Sequence, residues 1–100
     1  MTLYEVIEEL RKRDPSTVVK NGFGSGHSDR GNYRDAAFDP LEETTIGEML
    51  KNAINLLDTT QEGYKGGEFV MSGDVEALIG NYGCCGENIG KYHFLYWDTF

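Results

Sequence analysis

The fold class is decided by the stretch Thr45-Ile-Gly-Glu-Met-Leu-Lys-Asn-Ala-Ile-Asn-Leu-Leu57, which has the clearest helical pattern in the 100-residue chain. Thr45 and Glu48 form a capping-box signature at its start, in which each side chain can bond the backbone N–H of the other residue. Apolar side chains then recur at the three- and four-residue spacing of one helix face. They are Ile46, Met49, Leu50, Ala53, Ile54 and Leu57. The pattern predicts a central amphipathic helix.

A second helix is predicted at the N-terminal end of the chain. Thr2 and Glu5 form another capping box, and the apolar residues that follow keep helical spacing until Pro15 ends the helix. Outside the two helices, short β-branched or apolar runs bounded by turn residues predict strands. These runs are residues 17–19, 36–38, 68–71 and 75–79, the last two forming a hairpin; a wide glycine-rich loop, closed by Asp39-Pro40, joins the first two.

The C-terminal run Tyr92-His-Phe-Leu-Tyr-Trp-Asp98 also predicts a strand, aromatic on one face and mostly apolar on the other. Both faces of such a strand need cover, which indicates association into a homo-oligomer. The order of helices and strands predicts an α+β fold, a small mostly antiparallel sheet with two helices, formed by residues 1–100 as a single domain.

Composition excludes several classes of function. Seventeen acidic residues against nine basic ones give a formal net charge of −8, which disfavours binding to nucleic acid or to an anionic membrane. No apolar run reaches the ~18 residues of a membrane span, and the acidic N-terminus does not resemble a signal peptide. We therefore expect a cytoplasmic protein. Adjacent Cys84 and Cys85 are expected to be free thiols, and no metal or cofactor is predicted.

The segment from Asn21 to Asp35 has the densest concentration of functional residue types. Four glycines in fifteen residues indicate left-handed turns or a backbone pressed close to a neighbour. The cations within and near it, together with Lys20, could line a small anion pocket. We expect Arg30, Arg34 and Lys65 to meet phosphates, Tyr33 and Tyr64 to stack on bases, and His27, Ser28 and Asn32 to bind ribose or base edges.

Three motifs of the chain resemble small accessory proteins of tailed phages and prophages. They are Asn21-Gly-Phe-Gly-x-x-His27-Ser-x-Arg30-Gly-x-Tyr33-x-x-x-Ala37-Phe38-x-Pro40, Thr45-Ile-Gly-Glu-Met-Leu50 and Gly63-Tyr-Lys-Gly-Gly-Glu-Phe-x-Met71. The resemblance covers about half the chain. It implies a context, since small phage proteins are often counter-defence factors and several act as sponges for nucleotide immune signals. It carries over no ligand and no site residue.

Three functions are compatible with these patterns. The first is a counter-defence protein that binds and sequesters a nucleotide-derived signal, such as a cyclic nucleotide or cyclic ADP-ribose, without cleaving it. The second is an acidic inhibitor that contacts the basic groove of a host nucleic-acid-binding or defence protein. The third is a small phosphoesterase with His27 as base. The residues around His27 could also serve only to hold an irregular loop together.

Overall fold

The computed structural model describes residues 1–28, 35–57, 60–62, 68–80 and 87–98. The elements in this part of the chain are α1 (Leu3–Arg11), β1 (Val18–Ser28), β2 (Ala36–Thr45), α2 (Ile46–Leu56), β3 (Thr60–Glu62), β4 (Glu68–Val70), β5 (Ala77–Ile79), β6 (Glu87–Asn88) and α3 (Lys91–Trp97). The α+β class and the mostly antiparallel sheet are confirmed. Both predicted helices are present, and the described residues contain a third, α3.

The capping residues define the starts of the first two helices. Thr2 Oγ1 accepts from the backbone N–H of Glu5 at 3.2 Å, and the Glu5 carboxylate accepts from the Thr2 N–H at 2.9 Å, which completes the predicted capping box. Thr45 Oγ1 likewise accepts from the Glu48 N–H at 3.1 Å. Each bond satisfies a backbone donor that the first helical turn leaves unpaired.

The larger sheet has the strand order β1-β2-β5-β6, and β3 and β4 pair separately. Strands β1 and β2 are antiparallel, β2 and β5 are parallel, and β5 and β6 are antiparallel. Between the pairs Phe23–Pro40 and Gly26–Phe38 the register of β1 and β2 shifts by one residue. The bulge puts two residues of β1 opposite Asp39 alone. A bulge is one of the few places where a strand tolerates a proline, which cannot donate a ladder hydrogen bond.

The core is one cluster of buried apolar side chains drawn from all three described helices and from the larger sheet. Helix α1 contributes Leu3, Val6, Ile7 and Leu10, which are the residues that its helical spacing predicts. Among the side chains that the structure describes, the fully buried aromatic ones are Phe23, Phe38 and Trp97. The rings of Phe23 and Phe38 lie 4.4 Å apart between centroids, so the two long strands meet the core at this pair.

The predicted C-terminal strand is wrong, because residues 91–97 form helix α3. His93, Phe94 and Trp97 are buried, whereas Tyr92, Leu95 and Tyr96 are exposed. Both sets follow helical spacing. Seven consecutive residues that are almost all aromatic or apolar fit the period of a strand as well as that of a helix. The argument for oligomerisation from a double-sided strand is lost with the strand itself.

Two further predictions about strands are corrected. Residues 68–70 and 77–79 do not form a hairpin, because β4 pairs with β3 and β5 pairs with β2 and β6. Residues 20–28, predicted as part of a loop, are strand, because β1 continues to Ser28. Strand β2 likewise continues to Thr45, past the turn predicted at Pro40. No described helix has the length and apolar character needed to cross a membrane.

Candidate binding surface

The structure leaves most of the predicted anion site untested. Arg30, Asn32, Tyr33, Arg34, Tyr64 and Lys65 lie outside the described residues, as do Cys84 and Cys85. His27 and Ser28 are described only by their backbone, which lies at the end of β1 and pairs with Ala37 and Ala36. The convergence of these side chains in one pocket therefore stays a prediction.

Lys20, which was expected to add charge to that pocket, is engaged elsewhere. Its ammonium group donates a short hydrogen bond to Glu43 on the neighbouring strand. This bond, with the attraction of the Glu43 carboxylate, raises the pKa of Lys20. Among the described residues, Arg11, Lys12 and Arg13 are also paired with carboxylates. The described surface is thus dominated by acidic groups.

Helix α3 forms an exposed ridge between two grooves. Tyr92, Leu95 and Tyr96 expose 55%, 69% and 43% of their surface, and their spacing places them on one side of the helix. The first groove, between α1 and α3, has a volume of ≈ 480 Å³ and includes Tyr4, Glu5 and Leu95. The second has ≈ 500 Å³ and includes Tyr92, His93, Tyr96, Trp97, Glu42 and Glu87; we call it the aromatic groove.

The C-terminal end of α3 is held against α1 by Arg13. Its Nε and Nη2 atoms donate to the two oxygens of Asp98, at 2.7 and 2.8 Å. The same guanidinium lies 4.7 Å from the centre of the Phe94 ring, and its hydrogen bonds lower the pKa of Asp98. A bidentate hydrogen bond fixes the relative orientation of the two side chains as well as the distance between them. Arg13 therefore sets the angle at which the ridge is presented.

The side of α3 next to the sheet is held by Asn21. Its amide Nδ2 donates to Tyr96 Oη at 2.9 Å, and its backbone oxygen accepts from Trp97 Nε1 at 3.3 Å. Asn21 has a φ of 54°, the left-handed region that asparagine tolerates better than most residues. In the sequence, Asn21 stood out only as the first residue of the glycine-rich segment. In the structure, its hydrogen bonds position α3.

We expect Asn21→Ala to destabilise the protein more than Asn21→Gly. Both variants lose the hydrogen bond to Tyr96, but only alanine must also adopt the left-handed backbone with a Cβ atom. The free energy of unfolding of the alanine variant should be lower than that of the glycine variant by about 1 kcal/mol. Urea denaturation measures the difference. Equal stabilities would show that the backbone at residue 21 relaxes without cost.

The aromatic groove combines ring surfaces with carboxylates. Trp97 and His93 are buried beneath the more exposed Tyr92 and Tyr96. Glu87 accepts a short hydrogen bond from Tyr92 Oη, and its other oxygen lies 3.8 Å from His93 Nε2. No described lysine or arginine forms an ion pair with Glu42 or Glu87. The groove thus offers ring faces and two negative charges, which together favour a cation.

His93 is held neutral at the base of this groove. Burial lowers its pKa below the ordinary 6.5, although the carboxylate of Glu87 opposes the shift. Its Nδ1 accepts from the backbone N–H of Gly90 at 2.9 Å at the start of α3. Only an unprotonated nitrogen can accept that bond, so the neutral ring carries its proton on Nε2, on the side of Glu87.

We expect stability to fall on mild acidification because of His93. Above about pH 7 the residue is neutral in both folded and unfolded chains and has no effect. Between the unfolded value of 6.5 and the lower folded pKa, the unfolded chain binds a proton that the folded chain excludes, so unfolding is favoured. Thermal denaturation from pH 7.5 downward should show this slope. His93→Gln should reduce this dependence of Tm on pH. His27→Gln is the control and should retain the dependence that His93 causes.

Sequence reasoning missed this surface because α3 was predicted to be a strand. In a strand, Tyr92 and Tyr96 share a face with Phe94, which is in fact buried. The acidic composition favoured a partner with a basic surface, but it did not indicate where on the fold the contact would lie. Comparison with protein-family models, with curated proteins and with solved structures found no match for this chain.

Proposed function

We propose that this chain is a binding protein that inhibits another protein by contact, covering a basic surface that would otherwise bind nucleic acid. The proposed partner is a protein with a groove rich in lysine and arginine. The host cytoplasm is the compartment in which an accessory phage protein would meet such a partner. No catalytic residue is required of the chain in this role.

The observation that carries the proposal is the exposed aromatic ridge of α3 beside the two carboxylates of the aromatic groove. Tyrosine is among the residues that dominate binding energy at protein interfaces, where the ring buries a large area and the hydroxyl keeps a polar contact. On one side of the ridge Glu5 shares its groove with Arg13 and Lys91, whereas on the other side the aromatic groove contains Glu42 and Glu87. The two carboxylates of the aromatic groove, in a chain of net charge −8, are complementary to a basic partner.

Leu95→Lys tests the ridge directly. Leu95 exposes 69% of its surface, so the variant should fold, yet it places a cation at the centre of the proposed interface. Affinity for the partner should fall by about tenfold or more, because the variant loses apolar contact and gains like-charge repulsion. Binding would be measured by biolayer interferometry against a panel of purified basic nucleic-acid-binding proteins, with duplex DNA as competitor.

Ile54→Lys is the matched control. Ile54 is also an exposed apolar residue of a helix, it receives the same change of charge, and it lines neither groove. Support for the proposal is displacement of DNA by the wild type, a loss of binding in Leu95→Lys and normal binding in Ile54→Lys. Equal losses in the two variants, or no binding to any basic protein, would refute it.

Sequestration of a nucleotide-derived signal is a separate proposal, supported by the geometry of the β1–β2 pair. Ser28 and Ala36 are register partners, so both ends of the segment that contains Arg30 and Arg34 meet at one end of the sheet. The test is retention of cyclic dinucleotides, cyclic trinucleotides or cyclic ADP-ribose isomers on purified protein, followed by mass spectrometry. Recovery of one intact compound that Arg30→Ala fails to retain would support it, and an unretained panel would refute it.

A further inference from the structure

The aromatic groove has the composition of a pocket for a single cationic side chain. Its volume of ≈ 500 Å³ falls within the range of small-ligand sites. Tyr92 and Tyr96 provide exposed rings that can attract a cation, while Trp97 lies buried at the base of the groove. Ring surface beside two carboxylates that pair with no described lysine or arginine is a poor environment for an anion.

The carboxylates are arranged so that their charge remains available. Glu87 accepts one hydrogen bond from the Tyr92 phenol, and its neighbour His93 is held neutral by burial and by the Gly90 N–H. Neither contact cancels the negative charge of Glu87. Glu42 lies across the groove on β2; Lys20 bonds to its neighbour Glu43, and the Glu42 carboxylate makes only a smaller contribution to raising the pKa of that lysine.

We propose that the aromatic groove binds an arginine or lysine side chain of the partner, with the cation against the rings and its charge met by Glu42 and Glu87. This inference rests on the proposed function, since it names the group by which the basic partner is recognised. An arginine guanidinium suits the groove best, because its planar face stacks on a ring while its edge donates to carboxylates.

The test uses small probes and needs no partner. Trp97 is the only tryptophan in the chain, so its indole N–H gives a single reporter signal in a ¹H–¹⁵N NMR spectrum. The probes are Nα-acetyl-arginine amide and its neutral isostere Nα-acetyl-citrulline amide. The arginine probe should shift the Trp97 signal saturably and bind about tenfold more tightly than the citrulline probe, with a Kd on the order of 1 mM.

Variants distinguish the contribution of the rings to probe binding from that of the carboxylates. Glu87→Gln and Glu42→Gln should each weaken the arginine probe about threefold to tenfold, and Glu48→Gln, which removes the same charge from α2 outside the groove, should not. Tyr92→Leu should also weaken it, whereas Tyr92→Phe retains the ring and should restore binding.

The possible outcomes are distinct from those of the interface experiment. A selective shift by the arginine probe that depends on Glu42, Glu87 and the Tyr92 ring would establish the pocket even if no basic protein in the panel is bound. Equal binding of both probes would refute the inference and indicate an apolar occupant or a second copy of this chain. The absence of any shift at Trp97 would refute it as well.

Discussion

Trp97→Ala should lower the free energy of unfolding by about 3–5 kcal/mol, the largest effect of any single substitution that we consider. The Trp97 side chain is 1% exposed, and its ring contacts come from two elements. Its centroid lies 6.1 Å from that of Phe23 on β1 and 5.0 Å from that of Phe94, which it meets edge-on. Alanine would leave a cavity where α3 joins the sheet, because the surrounding side chains can collapse only in part.

The change would be measured by urea denaturation followed by circular dichroism. In a domain of this size, each kilocalorie per mole corresponds to a fall in Tm of about 4–8 °C, so the variant should melt about 12–40 °C below the wild type. Trp97→Phe is the control, because it keeps an aromatic ring but leaves the Asn21 carbonyl without its indole donor. We expect it to cost about 1–3 kcal/mol. A loss under about 1 kcal/mol in the alanine variant would contradict the described packing of α3.

Gly26→Val should destabilise the protein by about 2–3 kcal/mol through overpacking. A Cβ atom at residue 26 would lie 2.7 Å from Phe38 Cε1 and 2.8 Å from Leu56 Cδ2, both closer than carbon atoms normally approach. Phe38 is fully buried and packs on Phe23, so its ring cannot move aside freely. The sequence-based prediction that glycines mark a close approach of the backbone is confirmed at this position.

Ser25→Val is the control for Gly26→Val. It adds the same side chain one residue earlier in the bulge, but at an exposed position. Its stability should stay within about 0.5 kcal/mol of the wild type. Chemical denaturation of the pair separates steric overlap from any general effect of a β-branched residue in β1. Equal destabilisation of both variants would show that the bulge itself, and not the contact with Phe38, limits substitution.

The parts of the fold that could be predicted are those with a local signal. Thr2 with Glu5 and Thr45 with Glu48 marked the two longer helices, because capping hydrogen bonds join residues three apart. The parallel pairing of β2 with β5 left no such signal. It joins Ala36–Phe38 to Ala77–Ile79, and pairing over that distance in sequence depends on the assembled core rather than on short-range pattern.

The candidate surface could not be predicted, for a different reason. A run of aromatic and apolar residues does not distinguish a strand from a helix by its period, and α3 is selected by what its residues contact. Arg13 binds Asp98 across 85 positions of sequence, and Asn21 binds Tyr96 across 75. Neither partner can be inferred from spacing. The acidic composition was informative because net charge constrains the class of partner without requiring any knowledge of the fold.

Homo-oligomerisation stays a prediction, but the surface that would support it is now the exposed face of helix α3 and not a strand with two apolar faces. The exposed face of α3 could contact a second copy of the chain, but two copies would bring the carboxylates beside the ridge into proximity. Like charges across an interface oppose association, which favours a basic partner as the occupant.

In the proposed interface, binding depends on charge placed beside the α3 ridge and not on net charge alone. The most direct test is the affinity of a fluorescent oligo-arginine peptide for two double variants, Glu42→Gln/Glu87→Gln and Glu48→Gln/Glu76→Gln. Each removes two negative charges from the total of −8, but only the first pair lines the aromatic groove. We predict that the groove variant binds at least about fivefold more weakly than its control. Equal affinities would contradict the account, because binding would then follow overall charge.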